Sequence, residues 1–232
     1  MKSGFLLLIF TLCVGCIPLL GADEDNEDSS DSPLLVYFDF EEESGVKLDS
    51  QVNNSQRSII VGASRVEGKI GHGVKFGPSS SFIEVREDLR FPEGNFTIQF
   101  WIKPLVLMTG EIYWVFGDRS SRGFDLKIID KRLEIYFDDL SYLYSDISLA
   151  LNTWSHVAVT SDGFDVKLYI NGSEKSSINI SLPLEWIFNT RIGNENSSGS
   201  VVGQLNATID EFKVWKRALT SEEVESYYNS TN

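Results

Sequence analysis

The 232-residue chain carries 34 acidic against 20 basic residues, a formal net charge of −14, with an apolar fraction of 42%. That length fits one all-β sandwich or two smaller domains, and the apolar content is ample for a sizeable core. The negative charge argues against a nucleic-acid partner and against attraction to anionic lipid, while it suits cation binding wherever carboxylates converge.

Lys2 and the apolar run 5–20 read as an export signal, too short for a comfortable membrane helix, with cleavage expected after Ala22. Residues 1–22 are therefore read as a signal peptide, and a secreted, extracellular protein is expected. Val14-Gly15-Cys16 also resembles the end of a bacterial lipobox, with Cys13 where leucine is usual. That gives an alternative, lipid-anchored at Cys16, against the favoured reading of signal-peptide filler. Both cysteines fall in this segment, so the mature chain has no disulfide framework. No second long apolar run occurs, so no transmembrane span is expected. Residues 23–33, acidic and without an apolar side chain before Pro33, read as a disordered linker, and residues 34–232 as one folded domain.

Strand patterns follow in series. Residues 34–40 place Val36, Phe38 and Phe40 on one face, with Asp39 near the end. Short strands are expected at 58–61 and 82–86, separated by the glycine-rich 66–77, which lacks the spacing of a phosphate loop. Residues 95–103 alternate cleanly, with Phe96, Ile98, Phe100 and Ile102 opposite Thr97, Gln99, Trp101 and Lys103. Shorter strands follow at 111–116, 123–130 and 133–137. In 154–172, Asp162-Gly163 predicts a two-residue turn that pairs Val159 with Val166, Val157 with Leu168 and His156 with Tyr169. Asn171-Gly172 offers a second turn. Strands are expected at 176–180, 186–193 and 203–215, before a helix opened by the capping box Thr220…Glu223 and running to about Tyr228. Recurring short strands with turn signals between them, and one short C-terminal helix, read as an all-β sandwich.

Three stretches carry a family resemblance: WSHVAVTSDG with LYING, NFTIQFWIK, and IDEFKVWKRALTSEEV. They resemble the laminin-G-like branch of the concanavalin A-like jelly rolls, over residues 34–228, with Ala207 where the family usually has glycine. The resemblance implies a two-sheet antiparallel jelly-roll fold and a non-catalytic, pentraxin-like or lectin-like module that binds extracellular glycans or matrix and cell-surface proteins, often with Ca²⁺. An enzyme of the same superfold, a glycan hydrolase or lyase, is the alternative, and a purely structural surface protein a third.

Candidate chemistry is sparse. Laminarinase-type relatives carry E-x-D-x-x-E on one strand; residues 134–138 come nearest and lack the middle acid, so no catalytic residue is assigned. His72 and His156 have neither a thiol partner nor an H-E-x-x-H frame, and read as structural. Asp210 shares strand parity with Phe212 and Val214, and a core-facing carboxylate needs compensation. With Asp39 on the adjoining first strand it could form a Ca²⁺ site; capping backbone N–H groups is the competing reading. Trp101, Tyr142 and Tyr144 are candidate ligand-stacking residues, the two tyrosines expected in a loop beside Asp138 and Asp139. Sequons stand at Asn53, Asn95, Asn171, Asn179, Asn196, Asn206 and Asn229, and would carry glycans in a eukaryotic secretory pathway.

Overall fold

Alternating apolar residues, cut at short intervals by turn residues, build strands in nearly every stretch described in this computed structural model. It describes residues 33–52, 57–77, 80–87, 89, 91, 94–117, 124–137, 141–180, 190–194 and 203–232. The expected signal peptide, the linker up to Ser32, Asn53, Trp186 and Asn196 lie outside the described residues. In chain order the elements are β1 (Leu34–Phe38), β2 (Ile59–Val61), β3 (Ser64–Glu67), β4 (His72–Lys75), β5 (Phe82–Glu84), β6 (Asn95–Pro104), β7 (Ile112–Gly117) and β8 (Phe124–Ile129). They continue with β9 (Arg132–Phe137), β10 (Ser141–Tyr144), β11 (Ser155–Asp162), β12 (Asp165–Ile170), β13 (Ser173–Asn179), β14 (Arg191–Ile192), β15 (Ala207–Trp215) and α1 (Ser221–Thr231).

Two antiparallel sheets result. The first runs β13-β12-β11-β6-β15-β4-β3, with β1 on the same side of β15 as β4; the second runs β10-β9-β8-β7-β14-β5-β2. Their inner faces form one core. Phe212 stands at its centre, with ring centroids 6.2 Å from Phe38 and 6.0 Å from Phe100 in its own sheet, and 5.4 Å from Phe116 across the sandwich.

Turn chemistry explains the hairpins. Asn171 (φ 52°) and Gly172 (φ 75°) both adopt the left-handed conformation and join β12 to β13 in a two-residue turn, as the Asn-Gly pair predicts. The preceding hairpin differs from expectation. Val159 pairs with Leu168 and Val157 with Ile170, and the loop residues are Gly163 and Phe164. Gly163 (φ 91°) supplies the positive φ at the first loop position, while the Asp162 carboxylate accepts the N–H groups of Phe164 and Asp165 at 3.0 and 2.8 Å. Asp162 therefore serves as acceptor rather than as loop residue. The shift is two residues, so the faces are unchanged and Val157, Val159, Val166 and Leu168 are all fully buried.

The glycine-rich stretch folds as the β3–β4 hairpin, closed by Glu67 opposite His72. The helix begins at the expected box: Thr220 Oγ1 accepts Glu223 N–H and Glu223 Oε2 accepts Thr220 N–H. It extends to Thr231, beyond the expected end.

Candidate ligand-binding face

The outer face of the first sheet is closed by its own helix. Val224 and Leu219 pack on Ala158, Tyr169 and Trp215. Trp101, expected to meet ligand, is 1% exposed; Tyr228 covers it at 5.8 Å between centroids, and Lys69 Nζ lies 4.4 Å above the ring. Its burial corrects the stacking role read from the sequence.

Asp210 is also on this face, and not in the core. The register of β15 against β6 shifts between Asp210 and Lys213, with Glu211 at φ 54°. This β-bulge inserts one residue and inverts parity: Ala207 and Ile209 face the core before it, Phe212 and Val214 after it. The Asp210 carboxylate accepts three backbone N–H groups, from Lys69 (2.8 Å), Ile70 (2.9 Å) and Glu211 (2.7 Å). It caps the β3–β4 loop and the bulge together. Asp39 lies past the end of β1 and accepts Gln51 Nε2 (3.2 Å) and Glu41 N–H (3.3 Å). The two acids have separate partners, and no group of three or more His, Cys, Asp or Glu able to hold a metal ion occurs among the described residues. The geometry matches the cap rather than the shared cage.

Two buried groups of this face respond to pH in opposite senses. His156 is fully buried against Trp101, Tyr227 and Tyr228, and neither ring nitrogen has a hydrogen-bond partner. Burial, helped by the Lys213 charge, pulls it down to about 3. Burial pushes Asp210 up to about 7 despite its three donors. A depressed histidine loses stability as pH falls from about 6.5 towards 3; a raised carboxyl gains stability as pH falls from about 7 towards 4. Each contributes a slope of up to about 1.4 kcal/mol per pH unit, and over their shared window the slopes oppose. Denaturant unfolding across that window should therefore show His156→Leu gaining stability on acidification and Asp210→Asn losing it. The same slope in both variants would contradict this pairing.

Among the described residues, no helix lies over the outer face of the second sheet. Its outward residues form rows across the strands. One row pairs Tyr144 with Glu134, Glu134 with Lys127 and Lys127 with Trp114. The next pairs Tyr136 with Asp125, Asp125 with Gly117, Gly117 with Arg191 and Arg191 with Glu84, with Tyr142 at the β10 end. Lys127 ties the rows: its Nζ lies 4.3 Å from the Trp114 ring, 4.7 Å from the Tyr136 ring and 3.8 Å from Asp125 Oδ2. Burial raises the Glu134 pKa, opposed by a Tyr144 hydrogen bond and the Lys127 charge. Arg191 stacks on Phe82 at 4.0 Å. Tyr144 is half exposed. Gly117 keeps the second row open, since a Cβ there would lie 2.4 Å from Asp125 Oδ1.

The sequence thus found the β10 end of this face but placed it in a loop; Tyr142 and Tyr144 stand on an edge strand. Trp114 and Tyr136 were among the aromatics the sequence offered, and Glu134 stood in its nearest acid stretch, but none was assigned to this face; Lys127 and Arg191 were not singled out. The signal was present in FDLKII and RLEIYF, where charged or aromatic residues alternate with core residues. Asp125 and Glu134, 4% and 5% exposed, flank Lys127 below the aromatic surface, an arrangement suited to holding the lysine. Of the sequons, Asn171, Asn179 and Asn229 are exposed, and Asn95 and Asn206 partly buried. Asn171 Oδ1 accepts His156 N–H at 2.9 Å and Asn179 Nδ2 donates to Asp165 at 2.8 Å, so two of the exposed amides serve the hairpins.

Comparison with known proteins agrees with this architecture. Paraclostridial mosquitocidal protein 1 of Paraclostridium bifermentans is 26% identical over 84% of the chain, which spans only 17% of that protein. The crystal structure of its binding domain superposes with a TM-score of 0.70 at 20% identity, covering 85% of this chain and 52% of that one. A structure of botulinum neurotoxin type C superposes at 0.68 with 16% identity, over 86% of this chain and 51% of that one. At these identities the structural likeness establishes the fold. Residues 77–225, more than half the sequence, match the family description itself, and the chain belongs to the concanavalin A-like lectin/glucanase superfamily.

Proposed function

We propose that the chain is an exported, non-catalytic binding module that recognises glycan through the outer face of its second sheet. The observation that carries this reading is the pair of rows that set the exposed Tyr144 and the partly buried Tyr136 with Lys127 and Arg191, over Trp114, which is 7% exposed beneath Lys127. Sugar rings stack on aromatic faces while their hydroxyls take hydrogen bonds from charged groups beside them. The fold supports a binding role, since the mosquitocidal relative's matching structure is a binding domain. Cell entry of botulinum neurotoxin type C depends on two ganglioside molecules, and another similar binding domain is in complex with synaptotagmin II, so the neighbours support glycan and protein ligands alike. Catalysis has less support: the E-x-D-x-x-E strand pattern of the laminarinase-type relatives is absent, and Asp125 is engaged by Lys127 at 3.8 Å.

A glycan array probed with the mature chain tests the proposal. Tyr144→Ala and Tyr136→Ala should each weaken binding about tenfold, with retained melting temperature. Binding only to matrix proteins, or glycan binding indifferent to both tyrosines, would overturn it. Calcium enters the same screen: with Asp210 occupied as a cap, binding should be equal in millimolar Ca²⁺ and in chelator. Export is checked by N-terminal sequencing of secreted product, expected to begin at Asp23; a lipid-modified Cys16 would overturn cleavage there.

A further inference from the structure

Four polar atoms on the face that α1 covers are buried with no hydrogen-bond partner among the described residues: Trp101 Nε1, Gln99 Oε1 and both ring nitrogens of His156. Trp101 pairs with His156 across β6 and β11, and Gln99 pairs with Ala158 one step along the same face. Water would satisfy all four, so seating the helix carries a cost at each. The helix is also separable from the core. Val224 and Leu219 pack with Ala158, Tyr169 and Trp215 in a cluster apart from the one between the sheets, so lifting α1 leaves that core closed. Thr97 Oγ1 donates to the Arg217 carbonyl and accepts Leu219 N–H, both at 2.8 Å, which pins the lead-in and leaves Thr220 as the hinge.

His156 is the titratable group in this interface that a proton would set against the helix. Each element around it offers a neutral group or a cation. Trp101 comes from β6, and Asn171, which accepts the His156 backbone N–H, follows β12. Tyr227 and Tyr228 come from α1, with ring centroids 5.3 and 6.3 Å from the imidazole. Lys213 of β15 adds a positive charge, and Lys69 lies over the neighbouring Trp101 ring. The acids of this face are engaged. Glu211 is held by Lys213, Tyr37 and Tyr227, and Asp210 by three backbone N–H groups, none of them from α1. Glu225 of α1 has its Cα at the β12–β13 turn, against Gly172. An imidazolium would therefore sit between two tyrosine rings and a lysine, without a hydrogen-bond acceptor or water, until the helix lifts. We propose that α1 is an acid-released strap: protonation of His156 unseats it from the first sheet, swinging it about Thr220 and uncovering Trp101.

Amide hydrogen exchange of the mature chain at pH 7 and pH 5, corrected for the intrinsic exchange rate, tests this. With the imidazole held down to about 3 when α1 is seated and near its ordinary value when it is lifted, the seated helix loses stability as pH falls below about 6.5. The opening constant at Val224 and Tyr227 should rise about twentyfold between the two pH values. Core amides at Phe100 and Val157 should change little by comparison, because over this range the opposite slopes of His156 and Asp210 largely offset for the whole fold. His156→Leu should abolish the rise at α1, and so should His156→Gln, which keeps a polar side chain without a titrating proton. No rise at α1, an undiminished rise in either variant, or a rise at Phe100 and Val157 equal to that at Val224 would overturn the proposal.

Discussion

Phe212→Ala is expected to cost about 4 kcal/mol, the range for removing a large ring from a core that cannot close around the gap. Phe212 is fully buried and touches Phe38 and Phe100 within its sheet and Phe116 in the other. It follows the Glu211 bulge directly, so backbone collapse towards the cavity would disturb the pairing of β15 with both β6 and β1. A melting temperature lower by roughly 10 °C should accompany the change. Phe212→Leu, which keeps most of the volume, should cost less than half as much. A loss below about 1 kcal/mol for the alanine variant would mean that the two sheets are not joined through this ring.

Lys213→Ala is expected to cost about 3 kcal/mol, because it strands a buried carboxylate. Lys213 Nζ lies 2.7 Å from Glu211 Oε2 and 2.9 Å from the Tyr227 hydroxyl, between the rings of Tyr37 and Tyr227 at 4.1 and 4.3 Å. Glu211, 5% exposed, also accepts the hydroxyls of Tyr37 (2.9 Å) and Tyr227 (3.0 Å). Burial and the Glu211 charge raise both tyrosines above their ordinary pKa, so they remain donors. Without the lysine, the two hydroxyls are left to hold the negative charge. Lys213→Met with Glu211→Leu, which removes both charges, should recover most of the loss. Since Tyr227 belongs to α1, the single variant should also loosen the helix, visible as faster amide exchange at Val224. Equal stability of the single and double variants would contradict a paired charge.

How much of this was legible depends on the kind of signal. The β6 alternation, the Asn171-Gly172 turn and the Thr220…Glu223 box are local, each fixed by a few adjacent side chains, and all appear as read. The Asp162–Val166 hairpin failed by two residues because Asp162 can either occupy the loop or cap it, and only the pairing of both strands decides. Asp210 failed for a stronger reason. Parity counting assumes an unbroken pleat, and Glu211 at φ 54° breaks it; nothing in TIDEFKV announces a non-glycine bulge. Trp101 looked like a ligand platform because its strand neighbours are polar, but the face it stands on is covered by a helix more than a hundred residues later. Coverage is a tertiary fact, and among the described residues the helix lies on the first sheet. The two rows on the second sheet are each assembled from four or more strands, so no single stretch displays them.

The claim that this open face is the binding surface is tested most directly by amide hydrogen exchange with and without a saturating glycan identified on the array. The account predicts added protection in β8, β9 and β10, around Lys127, Tyr136 and Tyr144, with α1 and β11–β13 unchanged. Protection confined to α1 and the first sheet, with β8–β10 exchanging as in the free chain, would contradict it.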